Sequence, residues 1–229
     1  MKGSGEGNLT EIDRFEHGVG WMAYPDEGME RASHALAVPS ADGDADVWVV
    51  DPVDTPGVDD LLDSLGTVAG VVVGLDRHKR DADAIAQRHD APVFVPDWMD
   101  GVASEFAATT ARFSGELADT GFRALEVRNS TIPPWQEVGL YDGETLVVPE
   151  AVGTADFFRA GDERLGVHPM LRLVPPREAL GGLDPERILV GHGSGIHEGA
   201  GDALADALSG SRRRAPAAFT KALRSFVGK

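Results

Sequence analysis

Apolar positions along the chain switch between two periods, and the switches mark its elements. HALAV and DVWVVD flank the turn-rich PSADGDA and predict an antiparallel strand pair. The second strand stops at Asp51, because Pro52 and Pro56 follow it. Val58, Leu61, Leu62 and Leu65 then recur at helical spacing, with Gly66 suited to close the helix. VAGVVVGL is a continuous apolar run rich in β-branched residues, the pattern of a strand buried on both faces. Ala82, Ile85, Ala86 and His89 mark the stripe of a second helix, and PVFVP is the next strand. Strand, helix, strand, helix, strand implies parallel pairing through right-handed crossovers. A third helix is expected from Phe106, Thr110, Phe113 and Leu117.

The second half of the pattern favours strands first. FRALEV, QEVGLY and ETLVV predict three, the last two joined by a tight turn at Asp142-Gly143. After Pro175 and Pro176 come the strand RILV and two helices, near 200–209 and 216–227, the latter with a stripe of Phe219, Ala222, Leu223 and Phe226. Two halves, each with strands followed by helices, suggest two sheets face to face with helices outside; a doubly wound open sheet is the competing arrangement. No linker, repeat or low-complexity tract divides residues 1–229, so a single domain is expected.

Composition narrows the function. The chain sets 38 Asp and Glu against 21 Lys and Arg, a formal charge of −17, which excludes the basic face that nucleic acid requires. With 42% hydrophobic residues in regular periodicity it is no disordered acidic tail. Rich in Asp, Ala, Val and Gly and lacking Cys, it resembles cytosolic proteins of salt-loving archaea. Such salt screens self-repulsion, cutting the Debye length to about 3 Å at 1 M. The absence of Cys excludes disulfides, thiolate metal sites and a Cys nucleophile. No run approaches the roughly 20 apolar residues of a membrane span, and MKGSGEGNLTEID lacks the features of a signal peptide, so a cytoplasmic protein without membrane contact is expected. A small molecule is the expected ligand class, and no pattern fixes the oligomeric state.

Candidate chemistry gathers where strands end. Four such places are polar: Asp51, GLDRHKRDADA, LVVPEAVG and LVGHGSGIHEG. The last could cradle a phosphate on backbone N–H groups, but its glycines lack dinucleotide-binding spacing, and Ser194 is not in a nucleophile-elbow sequence. Beside these readings stands a solvated helix start, in which Asp81 and Asp83 stabilise the first turn by about 0.3–1 kcal/mol each. His89 is read as core or helix cap, and His17, His34 and His168 receive no chemistry. His197 is close enough to His192 to share a pocket. Arg212, Arg213 and Arg214 are read as a charge match at a helix end, and Trp48, Trp98 and Trp135 as core or cleft wall.

The order of these strand ends resembles the metallo-β-lactamase superfamily, whose fold is a four-layer αβ/βα sandwich. In that family a strand ends in Asp, as in WVVDPVD; the next ends in His-x-His-x-Asp-His, and a last His follows a strand and Gly, as in LVGHG. The resemblance spans about residues 30–200. Carried over, it puts the family's second His on His78, the bridging Asp on Glu150 and the final His on His192. The motif's other positions fall on Asp76, Arg80 and Asp81, and a later His falls near Pro133. A hydrolytic zinc site needs about three N or O ligands, and a two-metal site needs more, so a standard di-zinc hydrolase is not expected.

Two readings follow. In one, a single divalent ion (zinc, iron or manganese) is held by some of Asp76, His78, Asp81, Glu150 and His192, and the protein hydrolyses esters, thioesters or related small molecules. In the other, the metal site is eroded: Arg80 replaces the ion's charge, holds Asp81 or Glu150 by bidentate hydrogen bonds, and the cleft binds a small molecule or partner. The sequence favours the second. Asp76, Arg80 and Asp81 are then the working residues of the cluster, and His78, Glu150 and His192 the metal ligands if an ion is kept.

Overall fold

A computed structural model describes residues 7–40 and 43–227. The first sheet takes seven strands in chain order: β1 (Thr10–Phe15), β2 (Gly18–Met22), β3 (Ala32–Val38), β4 (Asp46–Val50), β5 (Thr67–Val72), β6 (Val93–Pro96) and β7 (Thr110–Phe113). Pairing is antiparallel from β1 to β4 and parallel from β4 to β7. Helices α1 (Val58–Asp63) and α2 (Ala82–Arg88) are the crossovers that make parallel pairing possible. The second sheet holds β8 (Arg123–Thr131), β9 (Pro134–Tyr141) and β10 (Thr145–Val148); β11 (Val152–Gly153) and β12 (Gly166–Val167) pair separately. After the short α3 (Arg177–Leu180), strand β13 (Arg187–Val190) completes the second sheet in the order β13-β10-β9-β8, and α4 (Ala200–Val227) ends the fold.

The period-2 alternation of strands divides the second sheet between two cores. Val138, Leu140, Val147 and Leu189 join one cluster with β2–β6 and with Val58, Leu62, Ile85 and Ala86 of the first two helices. Their neighbours Leu146, Val148, Ile188 and Val190 join another, with Ala203, Leu204, Ala207 and Leu208 of α4. The layers therefore run helices, sheet, sheet, helix: the αβ/βα sandwich, and not an open doubly wound sheet. No helix among the described residues is long and apolar enough to cross a membrane.

Three elements differ from the expected pattern. The β1–β2 hairpin was not legible, because DRF and GVG carry no clean alternation. The expected third helix is absent: Ala103–Glu105 make one 3-10 turn, and Thr110 to Phe113 pair with β6 as β7. Phe113 and Leu117 are still buried, so the apolar spacing was real, but pairing at an open sheet edge decided the backbone. The two terminal helices are one. Ser211 is fully buried and donates its hydroxyl to the Arg172 carbonyl, carrying α4 past the polar stretch, with Pro216 inside it. Ala215 and Ala218 are buried there while Phe219 is exposed; the side chains of Ala222, Leu223 and Phe226 lie outside the described residues.

One edge of the sandwich collects the ends of β4, β5, β10 and β13. Backbone hydrogen bonds stitch the sheets together there: Val138 N–H to Gly74 O at 2.9 Å, Asp76 N–H to Gln136 O at 3.0 Å and Ala32 N–H to Gly191 O at 3.0 Å. Close approach explains two glycines. A Cβ on Gly191 would lie 2.2 Å from the Pro149 carbonyl oxygen, and one on Gly74 would lie 2.6 Å from Pro149 Cγ.

Candidate metal centre

His78 sits on the loop after β5, and Asp51 immediately after β4 fixes its orientation. Asp51 adopts a left-handed backbone, φ 47°, which turns its carboxylate back across the strand ends. Its Oδ1 accepts the Gly74 N–H at 2.7 Å and its Oδ2 faces His78 Nδ1 at 2.9 Å, both groups being buried. A carboxylate can only accept here, so Nδ1 carries a proton and Nε2 points onward, to within 3.1 Å of Glu150 Oε2.

His192, after β13, is oriented by a backbone carbonyl. Its Nδ1 lies 2.8 Å from Met29 O, which places the ring proton on Nδ1 and leaves a lone pair on Nε2. Phe158 stacks on the ring at 5.3 Å with a 28° tilt. Burial pushes the imidazole well below its ordinary pKa, and the charges of His78 and Arg80 push it the same way, so His192 is neutral. Its Nε2 is buried, has no hydrogen-bond partner among the described residues, and lies 3.9 Å from Glu150 Oε2.

Glu150, after β10, divides its two oxygens. Oε1 is held by Arg77 at 3.2 Å and by His168 Nε2 at 3.5 Å, while Oε2 faces the two imidazoles. Burial pushes this carboxyl up, but the hydrogen bond and charge of His78, with the charge of Arg77 adding, outweigh it and hold the group well below the usual carboxylate range. Its backbone is fixed by Glu137, fully buried, whose Oε1 accepts the Glu150 and Ala151 N–H groups at 2.7 Å each and whose Oε2 accepts Trp135 Nε1 at 2.6 Å. Burial pushes Glu137 up to about 7. His168 is pushed down to about 4 by burial, and its Nδ1 accepts the Met170 N–H, so Nε2 presents a proton to Glu150. Arg77 lies over the face of Trp135, 4.2 Å from the ring centre.

Donor atoms of His78, Glu150 and His192 therefore lie within 4.8 Å of one another, all buried. This set fits a divalent ion by its own chemistry. It offers two imidazole nitrogens and one ionised carboxylate, the rings turned by hydrogen bonds at Nδ1 and the carboxylate by ion pairs at Oε1, and one lone pair that no proton donor among the described residues satisfies.

Of the six residues marked in the sequence, the structure brings these three together and not the others. Asp76 uses its backbone at Gln136 and lies 3.4 Å from Arg77, outside the group. Asp81 accepts the Asp54 N–H at 2.9 Å, ahead of α2. The expectation that Arg80 holds Asp81 or Glu150 is overturned: it bonds neither. Its guanidinium donates to the carbonyls of Ala32 at 2.6 Å, Asp51 at 2.8 Å and Gly191 at 3.2 Å. Burial lowers it to about 10, which still leaves a cation beside the site at neutral pH. His197 pairs with Asp13 at 3.2 Å instead of joining His192. The arginines near 212 are not at a helix end: Arg214 pairs with Asp206 and Arg212 donates to Leu173 O, both within the run of α4.

Arg77, Glu137, His168 and Phe158 were missed. Phe158 lies on the loop between β11 and β12 and His168 directly after the two-residue β12, elements too short for periodicity to give a signal, and Glu137 hides in an ordinary strand.

Neither a protein-family model nor any curated protein matches the sequence. Solved structures do match its arrangement of elements. A metallo-β-lactamase from Pontibacter korlensis superposes with a TM-score of 0.62 at 15% identity, covering 90% of this chain and 99% of that one. The chain has the metallo-β-lactamase fold. The DIM-1 metallo-β-lactamase gives 0.55 at 14% identity, over 91% and 97% of the two chains. A flavo di-iron protein variant from Thermotoga maritima gives 0.60 at 13% identity, over 90% of this chain and 63% of that one. At these identities the metallo-β-lactamase fold is what is shared, and the chemistry rests on the residues described above.

Proposed function

We propose that this metallo-β-lactamase-fold protein holds one divalent ion on His78, Glu150 and His192 and hydrolyses an ester, thioester or related small molecule. The observation that carries this reading is the buried His192 Nε2 lone pair, fixed by the Met29 carbonyl and aimed at Glu150 with nothing to accept from. An ion bound there supplies Lewis acidity toward the substrate carbonyl. The chain's own residues do the rest. Asp51 orients His78 and strengthens its basicity, Arg77 and His168 pin one oxygen of Glu150 so that the other stays available, and Phe158 and Trp135 wall the site. Arg80 supports a count of one: a fixed cation close enough to depress His192 also disfavours a second dication.

A second reading has an observation of its own. His78 lies between Asp51 at 2.9 Å and Glu150 at 3.1 Å, and a doubly protonated ring would satisfy both acids without any metal. The protein would then be a binding protein built on an eroded site.

Metal analysis of the full chain, purified without added metal or chelator, separates the two. The expected result is close to one zinc, iron or manganese per chain, lost in the His78→Ala/His192→Ala double variant, with ester or thioester hydrolysis lost in parallel. No ion bound after incubation with excess of each metal would sink the first reading and leave the second.

A further inference from the structure

A second polar cleft opens on the loops that frame His192. Its volume is about 570 Å³, and its walls include Thr154, Arg159, Arg164, Ser194 and His197, with Glu30 and Glu198 contributing as well. His192 itself is not among the lining residues, but the same loops hold it. Its carbonyl accepts the Thr154 and Ala155 N–H groups at 3.0 and 3.1 Å, and Gly193 N–H bonds Glu30 O at 2.8 Å. The cleft therefore neighbours the candidate metal centre without being part of it.

Three of its side chains can carry positive charge, and two of them, Arg159 and Arg164, are not neutralised by a carboxylate among the described residues as several other arginines of this acidic chain are. Arg88, Arg172 and Arg214 each pair with carboxylates. Neither Arg159 nor Arg164 has a carboxylate partner among the described residues, although both Glu30 and Glu198 line the same cleft. Arg164 donates to the Glu198 carbonyl, which anchors one nitrogen and leaves the rest of the fork. Arg159 Nε is buried with no hydrogen-bond partner among the described residues. His197 is oriented from behind. Asp13, 3% exposed at its side chain, accepts Gly195 N–H on both oxygens at 2.8 Å and faces His197 Nε2 at 3.2 Å. That leaves Nδ1 of a one-third exposed ring for the cleft. A carboxylate fixing one ring nitrogen while the other stays open makes a directed donor when the ring is protonated.

We propose that this cleft binds the oxyanion group of a small acid, a phosphate or a carboxylate, through Arg159, Arg164 and His197, with the Ser194 hydroxyl beside them. Two guanidinium forks suit planar or tetrahedral oxyanions, and such charge-assisted bonds are the strong ones. The proposal stands apart from the metal centre and survives if that reading fails.

The test is calorimetric titration of the full chain, as purified and after chelation, at fixed ionic strength. One arm uses inorganic phosphate and the other succinate, so that the source of the oxyanion is distinguished. Saturable binding in either arm, the same with and without chelation and weakened at least tenfold in the Arg159→Gln/Arg164→Gln double variant, is the expected result. Arg213→Gln, away from the cleft, is expected to bind as the native chain does. Because the double variant could unfold, the imidazole resonances of His197 are followed in the native chain: they shift at saturation while those of His17 do not. No saturable binding in either arm, binding abolished by chelation, full affinity in a folded double variant, or unmoved His197 resonances would each overturn the proposal.

Discussion

Two buried acids in this molecule have opposite surroundings. Glu163, on the loop before β12, is completely enclosed with Arg172: the guanidinium reaches its two oxygens at 3.0 and 2.6 Å, and Ala160 N–H adds a third bond at 2.7 Å. Arg172 Nε has no partner among the described residues, but an unpaired N–H cannot coordinate anything. Glu150 shares its space with three imidazoles and one arginine, and the atom left over there is a lone pair on His192. Both acids lie against neighbouring cations, but only one leaves a donor atom free to bind an ion. Burial and charge alone do not mark a site; the sign of what is left unsatisfied does.

Removing one partner of the enclosed pair is expected to have the largest effect on stability. Glu163→Gln leaves a buried guanidinium without its counter-charge and should cost about 3–5 kcal/mol in urea unfolding, while metal content per folded chain is unchanged. The Glu150 group should respond the other way round. In the metal-free state His192→Ala is expected to cost about 1–3 kcal/mol, the range for losing a buried polar side chain's contacts, yet metal content should fall below a tenth of native. Asp51→Asn keeps the shape but not the charge behind His78, and should weaken metal affinity about 10–100-fold in competition with a chelator. An exposed pair sets the floor. Asp59, bonded by His89 and Arg88, is half-exposed; burial raises its pKa, but those bonds outweigh this and hold it below its ordinary value. A depressed carboxylate contributes stability above the unfolded pKa near 3.8 and loses it as pH falls through the folded value. Asp59→Asn should cost only about 0.2–1 kcal/mol at neutral pH, and the difference from native should vanish in strong acid. If it matched Glu163→Gln, burial would not be what separates the two kinds of acid.

Much of the frame was legible from periodicity: β3 to β6, β8 to β10 and β13 fall where the apolar runs put them, and the family resemblance in the order of the strand ends then implied His78, Glu150 and His192. What escaped has a common cause. Arg80 was read against carboxylates because charge is visible in a sequence, whereas its partners are three main-chain carbonyls, which every residue owns. His168 and Arg77 reach Glu150 through irregular chain and a cation–aromatic stack, neither of which has a period. The third helix failed because spacing shows that Phe113 and Leu117 are buried without saying by which backbone.

The three donors also come from both halves of the chain, His78 from the β5–β6 connection of the first sheet and Glu150 and His192 from the ends of β10 and β13 in the second. Neither half can assemble the set alone. An ion held there is a tie-rod between the sheets, and its binding free energy adds to the free energy of their association. On the proposed reading, metal affinity would therefore also gauge how firmly the two halves are closed on each other, and loosening the seam should release a bound ion before either sheet melts.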